Sequence, residues 1–218
     1  MGGILEQREK IVRRVLVNSR EKFFRYGFSR VTMEEIALEC RISKKTLYQL
    51  FAGKETLLRA VIEELKREIG AGVQSIISDR SLDFAGRLKT LMSFVGLRVS
   101  QFNRPFIEDL RLYAPDLWKE IEDFRRTKVL ENFGRYLQEG MGKGIFRRDI
   151  DPGLLLRMYL TVIENMINPE VLSELPFTPY ETFEAIVKVM FEGVMTGKAR
   201  SQRMGRLLPG RRPAGGKA

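Results

Sequence analysis

The chain has 218 residues, of which 44% are hydrophobic and 30% are charged, and this fits a globular protein with a sizeable core. Histidine is absent and Cys40 is the only cysteine, so the composition excludes an internal disulfide, a multi-cysteine zinc site and the catalytic pairs that need histidine. The formal net charge of +10 comes from the two ends, because residues 1–60 carry a net +6, residues 61–197 a net −3 and residues 198–218 a net +7.

Helical periodicity with clear start and stop signals runs through the first part of the chain. Gly27 ends the first helix. Thr32 and Glu35 form a capping-box pattern, and Ser43 is a natural N-cap. The N-terminus MGGILEQREK becomes charged too early for a signal peptide, which favours a cytoplasmic protein. The predicted helices cover residues 6–26, 33–39, 43–50 and 54–70.

Longer helices are predicted after residue 80. Two of them have proline at the first helical position, Pro152 and Pro179. Each proline follows an N-capping residue, Asp151 or Thr178. Even the most apolar window, LLLRMYLTVIENMI, contains Arg157 and Glu164, so no membrane span is expected. The predicted helices cover residues 82–103, 105–113, 116–139, 152–167 and 179–196, which makes an all-α fold of about nine helices.

These elements group into domains of different charge. We assign residues 1–60 to a basic N-terminal domain, residues 61–197 to a slightly acidic helical domain, and residues 198–218 to a basic disordered tail. Basic ends around an acidic body favour a polyanionic partner, with nucleic acid the first candidate. For the tail, a role as a solubilising appendage explains the same composition.

Residues 33–39 and 43–50 have the dimensions of a helix-turn-helix, whose second helix enters the major groove of DNA. The second helix begins with Lys44 and Lys45, although the helix dipole disfavours positive charge at that end. A phosphate opposite them would explain this placement, and the hydroxyl groups of Ser43, Thr46 and Tyr48 could donate to phosphate oxygens as well. A solvated helix with a lysine-rich edge is the alternative that the helix pair alone leaves open.

The order of residues resembles the DNA-binding segment of the TetR family of transcriptional regulators. The family pattern appears in TMEEIALECRISKKTLYQLFAGKETLL as Thr-Met, Ile-Ala, Ile-Ser, Thr-Leu-Tyr, Phe, Lys-Glu and Leu-Leu. The segment FFRYGFSRVT, which ends at Thr32, matches the family's phenylalanine, glycine and hydrophobic residue before this threonine. The likeness covers residues 11–60. Beyond it, only the helical layout and the connector GKGIFRRDIDP are similar.

The resemblance implies a three-helix helix-turn-helix domain followed by a helical domain for ligand binding and dimerisation. It also implies a regulator rather than an enzyme, a palindromic double-stranded DNA operator, a homodimer and a small hydrophobic effector. Lys44, Lys45 and Gln49 become candidates for base contacts. The residues that match the family's contacts to the DNA backbone are Thr32, Ser43, Lys44, Thr46, Tyr48 and Lys54.

Two positions depart from the family pattern. Arg41 stands where the family usually has a turn glycine. We therefore expect either a left-handed backbone at Arg41, at a cost of roughly 1 kcal/mol, or a different local turn. Leu50 replaces a usual histidine or aromatic residue, which removes a possible DNA contact.

The last two long helices have apolar arcs wider than one core-facing stripe, which indicates burial on two sides. Together with the resemblance, this predicts a four-helix seam between two copies of the chain across a two-fold axis. A deeply buried pair within one chain is the alternative. The predicted interface residues are Leu155, Tyr159, Val162, Met166, Phe183, Val187, Met190 and Val194.

Aromatic and methionine residues are frequent on the helices that line ligand pockets in the family. They favour a lipophilic ligand with few polar contacts, although such a stripe is also typical of an ordinary core. The candidate pocket residues are Phe94, Arg98, Phe102, Phe106, Tyr113, Trp118, Phe124, Met158 and Asn165.

The sequence leaves three functions open. The first is a repressor that a lipophilic molecule releases from its operator. The second is a DNA-binding protein of the same fold that acts architecturally or through a protein partner, without an inducer. The third is an enzyme, but the acidic clusters at 108–109 and 120–123 are typical of a solvated surface, and there is no histidine to act as a base.

Overall fold

The computed structural model of the protein describes residues 2–167 and 169–199, and the predicted basic tail lies outside the described residues apart from its first two positions. This part of the chain is helical and contains no β-strand, so the predicted all-α fold is confirmed. Each of its helices is too short or too polar to span a bilayer. The helical segments are α1 (Gly2–Tyr26), α2 (Met33–Glu39), α3 (Lys44–Leu50), α4 (Lys54–Ser78), α5 (Phe84–Val99), α6 (Arg104–Tyr113), α7 (Pro115–Gly142), α8 (Pro152–Met166), α9 (Pro169–Glu174), α10 (Pro179–Val194) and α11 (Gly197–Ala199).

The capping box predicted at Thr32 is present, and a second one lies at the start of α10. The Oγ1 atom of Thr32 accepts from the backbone N–H of Glu35 at 3.2 Å, and the Glu35 carboxylate accepts from the backbone N–H of Thr32 at 2.8 Å. The same pair of bonds joins Thr178 and Glu181 at the start of α10. These bonds satisfy backbone N–H groups that a helix cannot pair within its first turn.

The structure differs from the prediction at the end of α4, which continues to Ser78 instead of ending near residue 70. Gly70 suggested a stop, but the helix continues past it, and Gly72 lies beneath the ring of Phe94. A Cβ atom at this position would come within 2.2 Å of that ring. Gly72 therefore permits close packing of α5 on α4. The short helix α9 was not predicted either.

A first core joins the helix-turn-helix to α1, α4 and α6. Ile36, Ala37, Leu47 and Phe51 are buried in it, so both short helices turn their inner faces toward this core. A second core lies among α4, α5, α7, α8 and α10. Because α4 runs unbroken through residue 60, no gap between helices marks the predicted domain boundary there.

Arg41 adopts the left-handed backbone conformation, with φ of 51°. The N–H of Ile42 donates to the carbonyl of Ala37 at 3.0 Å, and the N–H of Arg41 donates to the carbonyl of Leu38 at 3.0 Å. This pair of bonds is the Schellman arrangement, which normally favours glycine at the left-handed position. The turn therefore keeps the geometry expected of a glycine although arginine occupies it.

We expect the substitution Arg41→Gly to raise the free energy of unfolding by up to about 1 kcal/mol, because it removes the left-handed strain of a side chain with a Cβ atom. Chemical denaturation would measure this change. Arg41→Ala removes the charge but retains Cβ and is expected to give no comparable gain. Equal gains from both variants would contradict an origin in backbone strain.

Candidate nucleic-acid interface and central cavity

The start of α3 is held by Ser43, whose Oγ accepts from the backbone N–H of Thr46 at 3.0 Å. The two hydroxyl oxygens, Ser43 Oγ and Thr46 Oγ1, are also 2.9 Å apart. The following side chains, Tyr48 and Gln49, are exposed. Packing of Leu47 against the first core leaves this polar face of α3 turned outward, as a major-groove helix requires.

Lys44 and Lys45 are both exposed at the first turn of α3, but their surroundings differ. The Nζ atom of Lys44 lies 2.7 Å from a carboxylate oxygen of Glu34 on α2. This hydrogen bond lowers the pKa of the Glu34 carboxyl group below its usual value. In the described part of the chain Lys45 forms no ion pair. Its charge is therefore fully available to a phosphate, whereas Lys44 must exchange one anion for another.

Lys54 has a structural position that the sequence did not suggest. Its ammonium group donates to the backbone carbonyls of Ser29 at 2.9 Å and Val31 at 3.0 Å, and it lies 4.9 Å from the centre of the Phe28 ring. Two of its three donors are thus engaged in holding the segment before α2. Only the third N–H donor of the Lys54 ammonium group is available for contact with a DNA phosphate.

Asp109 on α6 anchors the turn between α1 and α2. It is buried, and its Oδ2 accepts from the backbone N–H of Ser29 at 2.7 Å. Gly27 has φ of +87°, and a Cβ atom there would lie 2.6 Å from Asp109 Oδ2. Nearby, the side-chain amide of Asn103 donates to the carbonyl of Arg25. Helix α6 is therefore bonded directly to the segment that leads into the helix-turn-helix.

The sequence reasoning missed this role of Asp109, because adjacent acidic residues were interpreted as a solvated surface. A usable signal was present. Asp109 follows Phe106 by three residues and precedes Leu110, and this spacing places it on the apolar face of α6. A carboxylate on a buried face needs a hydrogen-bond donor, which here is a backbone N–H.

A cavity of about 210 Å³ lies between the two cores, enclosed by α4, α5, α6, α7, α8 and α10. Its lining includes Leu65 and Val73 from α4, Met92 from α5, and Ile107 and Leu110 from α6. Apolar walls of this kind suit a lipophilic molecule. Four of the nine predicted pocket residues line the cavity, namely Arg98, Phe102, Trp118 and Phe124.

The other five predicted pocket residues lie outside this lining. Phe106 is fully buried in the first core, and Phe94 covers Gly72. The remaining three are exposed to solvent. The sequence misassigned them because periodicity identifies the apolar face of a helix but not the neighbour that covers it. They are Tyr113, Met158 and Asn165.

Half of the predicted interface residues are buried in the interior of their own chain. Four are buried in the second core, three are partly buried, and Val162 is exposed. A buried side chain offers no surface to a second copy, so the four buried residues are removed from the predicted contact face, whereas the partly buried residues and Val162 remain predictions. The buried residues are Leu155, Phe183, Val187 and Val194, and the partly buried ones are Tyr159, Met166 and Met190.

Different apolar side chains on the same two helices are exposed. On α8, Leu154 and Met158 are 55% and 53% exposed, and Val162 continues their row at intervals of four residues. On α10, Val189 is 71% exposed, beside the exposed Ala185. The apolar arcs are as wide as predicted, but of these exposed residues only Val162 was among the predicted interface residues.

A capped helix pair, packed on α1 and presenting a polar, lysine-led second helix, defines the protein as a helix-turn-helix regulator of transcription that binds DNA. Residues 15–61 match the family model described as bacterial regulatory proteins, tetR family. The helix-turn-helix segment of the chain is therefore that of the TetR family of transcriptional regulators. Members of this family and the relatives matched here are regulators and not enzymes.

Similar proteins extend the likeness beyond the matched segment. The uncharacterized HTH-type transcriptional regulator YvaF of Bacillus subtilis (strain 168) is 28% identical over 185 residues, which are 84% of this chain and 94% of that protein. A TetR-family regulator from Agrobacterium tumefaciens has a similar fold, with a TM-score of 0.65 and 14% identity over 87% of this chain and 100% of that one. A gamma-butyrolactone receptor (ArpA like protein) aligns with a TM-score of 0.64 and 18% identity over 92% of this chain and 96% of that one.

Proposed function

We propose that the protein is a cytoplasmic, homodimeric repressor that binds a palindromic operator and leaves it when a small lipophilic molecule occupies the cavity. The observation that carries this proposal is the position of α6. Its Ile107 and Leu110 line the cavity, while its Asp109 holds the turn before α2. A ligand that shifts α6 therefore acts on the helix-turn-helix through one rigid element and one partly buried hydrogen bond.

DNA geometry explains how a small shift could release the operator. Two recognition helices related by a two-fold axis must meet half-sites about 34–36 Å apart, or a multiple of that distance. A ligand that prefers a dimer with another spacing draws population away from the state that binds DNA. Its leverage is limited to its differential affinity for the two states. The receptor for a gamma-butyrolactone, similar in fold, supports a small-molecule site in such a protein.

Helices α8 and α10 pack against each other within one chain, and each carries a stripe of exposed apolar side chains. The proposed dimer forms through these exposed stripes. Leu154, Met158 and Val162 form the stripe on α8, and Ala185 and Val189 lie on that of α10. A contiguous apolar surface of this kind is rarely left in water by a monomer. A second copy of the chain offers the same stripes, and a two-fold axis would place them against each other.

Selection of bound DNA from a random pool would provide an operator, and lipophilic compounds could then be screened by the fluorescence of Trp118. This residue is the only tryptophan and lines the cavity. We expect compounds that bind the cavity to lower operator affinity about 5- to 150-fold at saturation, the usual range of coupling between two sites. Cavity binders that leave operator affinity unchanged would favour a DNA-binding protein without an inducer.

Asp109→Asn tests the route from cavity to DNA. The variant keeps an acceptor oxygen near the N–H of Ser29 but loses the charge that strengthens this bond. Ligand affinity should change little, because Asp109 does not line the cavity, while the effect of ligand on operator affinity should become smaller. The exposed neighbour provides the matched control Glu108→Gln, which should behave as the unmodified protein.

A further inference from the structure

The cavity is apolar over most of its surface, yet its charged groups are all of one sign. Four cationic side chains line it, and no carboxylate occurs among the described residues of the lining. Placing cations around an enclosed apolar space is costly, because each loses part of its hydration. The four residues are Lys66, Arg98, Arg125 and Lys128.

Three of the four cations are compensated by neighbours outside the lining. The two lysines form ion pairs with glutamates on their own helices, and one arginine lies over an aromatic ring, which attracts a cation. The pairs are Lys66 Nζ with Glu63 Oε1 at 2.6 Å, Lys128 Nζ with Glu131 Oε2 at 2.9 Å, and the guanidinium carbon of Arg98 at 4.4 Å from the centre of the Phe94 ring.

Arg125 is different. Its Nε and Nη2 atoms are buried and have no hydrogen-bond partner in the described part of the chain. The Oε1 atom of Glu122 lies 3.9 Å from Nη2, which is beyond hydrogen-bond distance. Glu164 is hydrogen-bonded to Arg126 at 2.9 Å. Arg125 thus lines the cavity, and neither carboxylate satisfies the N–H groups on its Nε and Nη2 atoms.

The electrostatic state of this region agrees with that geometry. Burial lowers the pKa of Arg125 from its ordinary value, and the carboxylates of Glu122 and Glu164 offset this only in part. Burial also raises the pKa of Tyr159, another lining residue, to about 12, although the Arg125 charge opposes the rise. Because these carboxylates compensate it only in part, Arg125 is a cation in surroundings that disfavour its charge.

We infer that the cavity binds an apolar molecule bearing one anionic oxygen group, a carboxylate or a phosphate monoester, and that Arg125 binds this group. The inference rests on the proposed function in taking the cavity as the effector site. The planar guanidinium offers a fork of N–H donors that matches either group, and apolar walls suit the rest of the molecule. Arg98, whose neighbour is an uncharged ring, adds positive charge that also favours an anionic ligand.

A panel of matched amphiphiles tests the charge preference: decanoate, decyl phosphate, decanol and decyltrimethylammonium, used below their micelle concentrations. Affinity for the full chain would be measured by Trp118 fluorescence and by calorimetry. We expect at least one of the two anions to bind about 10- to 100-fold more tightly than the alcohol, the range for hydrogen bonds to charged groups, and the cation to bind most weakly. The anion that binds more tightly identifies the preferred head group, carboxylate or phosphate.

Arg125→Met assigns the preference to one residue. It removes the charge and leaves an unbranched apolar side chain, so the melting temperature should be unchanged or higher. The anion should nevertheless bind this variant no more tightly than decanol does. Arg135→Met, at an exposed position of the same helix, should keep that advantage and serves as the matched control. Should Arg125→Met fail to fold, Arg125→Lys provides a second test, because it retains the charge and should retain preference for the anion.

Several results would overturn the inference: no binding by either anion, equal binding of decanol and the anions, or an anion preference that survives in Arg125→Met. Selective anion binding that depends on Arg125 supports it, whatever happens to DNA. Unchanged operator affinity at saturation with that anion would count against ligand-controlled repression and leave the anion site standing. The two proposals can therefore fail separately.

Discussion

Replacing Val187 with glutamate is expected to unfold the chain. Val187 is 1% exposed and lies in the second core, so the variant would bury a carboxylate without a partner. We expect a loss of about 4 kcal/mol or more from the free energy of unfolding, a large share of the roughly 5–15 kcal/mol typical of a domain. Thermal unfolding followed by circular dichroism would show a much lower midpoint or no folded state.

The matched change Val189→Glu, two residues along the same helix, separates folding from dimer formation. Val189 is 71% exposed in the single chain, so its glutamate remains hydrated and the melting curve of the isolated chain should change little. In the proposed dimer the same charge would lie in an apolar seam. Sedimentation should therefore show a folded monomer. A stable Val189→Glu dimer would place the contact surface elsewhere, and a well-folded Val187→Glu chain would contradict the core described for α10.

The double change Lys44→Ala and Lys45→Ala is expected to weaken DNA binding about 100-fold at moderate salt. A dimer loses four lysines, and about 0.7 kcal/mol for each phosphate contact gives that factor. The slope of log affinity against log salt should fall by up to about 0.9 for each lost contact. A gel-shift titration at several salt concentrations measures both quantities. Unchanged affinity and slope would show that α3 is not the helix that meets DNA.

Single variants should rank the two lysines. Lys45→Ala should reduce affinity more than Lys44→Ala, because Glu34 already neutralises part of the Lys44 charge in the free protein. Lys119→Ala, at an exposed position on α7, controls for the general loss of positive charge and should leave the salt slope unchanged. An equal loss in all three variants would indicate a non-specific charge effect and not a contact at the first turn of α3.

Local signals were sufficient for the helix-turn-helix. Thr32 and Ser43 cap the short helices through bonds to the third residue of each helix, so sequence separation alone determines those contacts. Arg41 was recognisable as a departure because the resemblance to the TetR family places a glycine at this position of the turn, and its left-handed backbone agrees with that expectation. The short segment could not predict that Lys54 and Asp109 hold the loop before α2. Lys54 follows that loop by more than twenty residues, and Asp109 lies on α6.

The sequence by itself determined the class of the protein, the all-α fold and the charged start of α3, because helix caps, periodicity and the motif at 32–58 depend on neighbours within a few residues. Only the tertiary structure decided which half of the wide apolar arcs on α8 and α10 is buried. It also showed that Asp109 faces a backbone N–H and that Arg125 borders an apolar cavity. Each of these depends on which helix lies opposite, and a side chain's environment in a packed helical protein is set by residues far away in the chain.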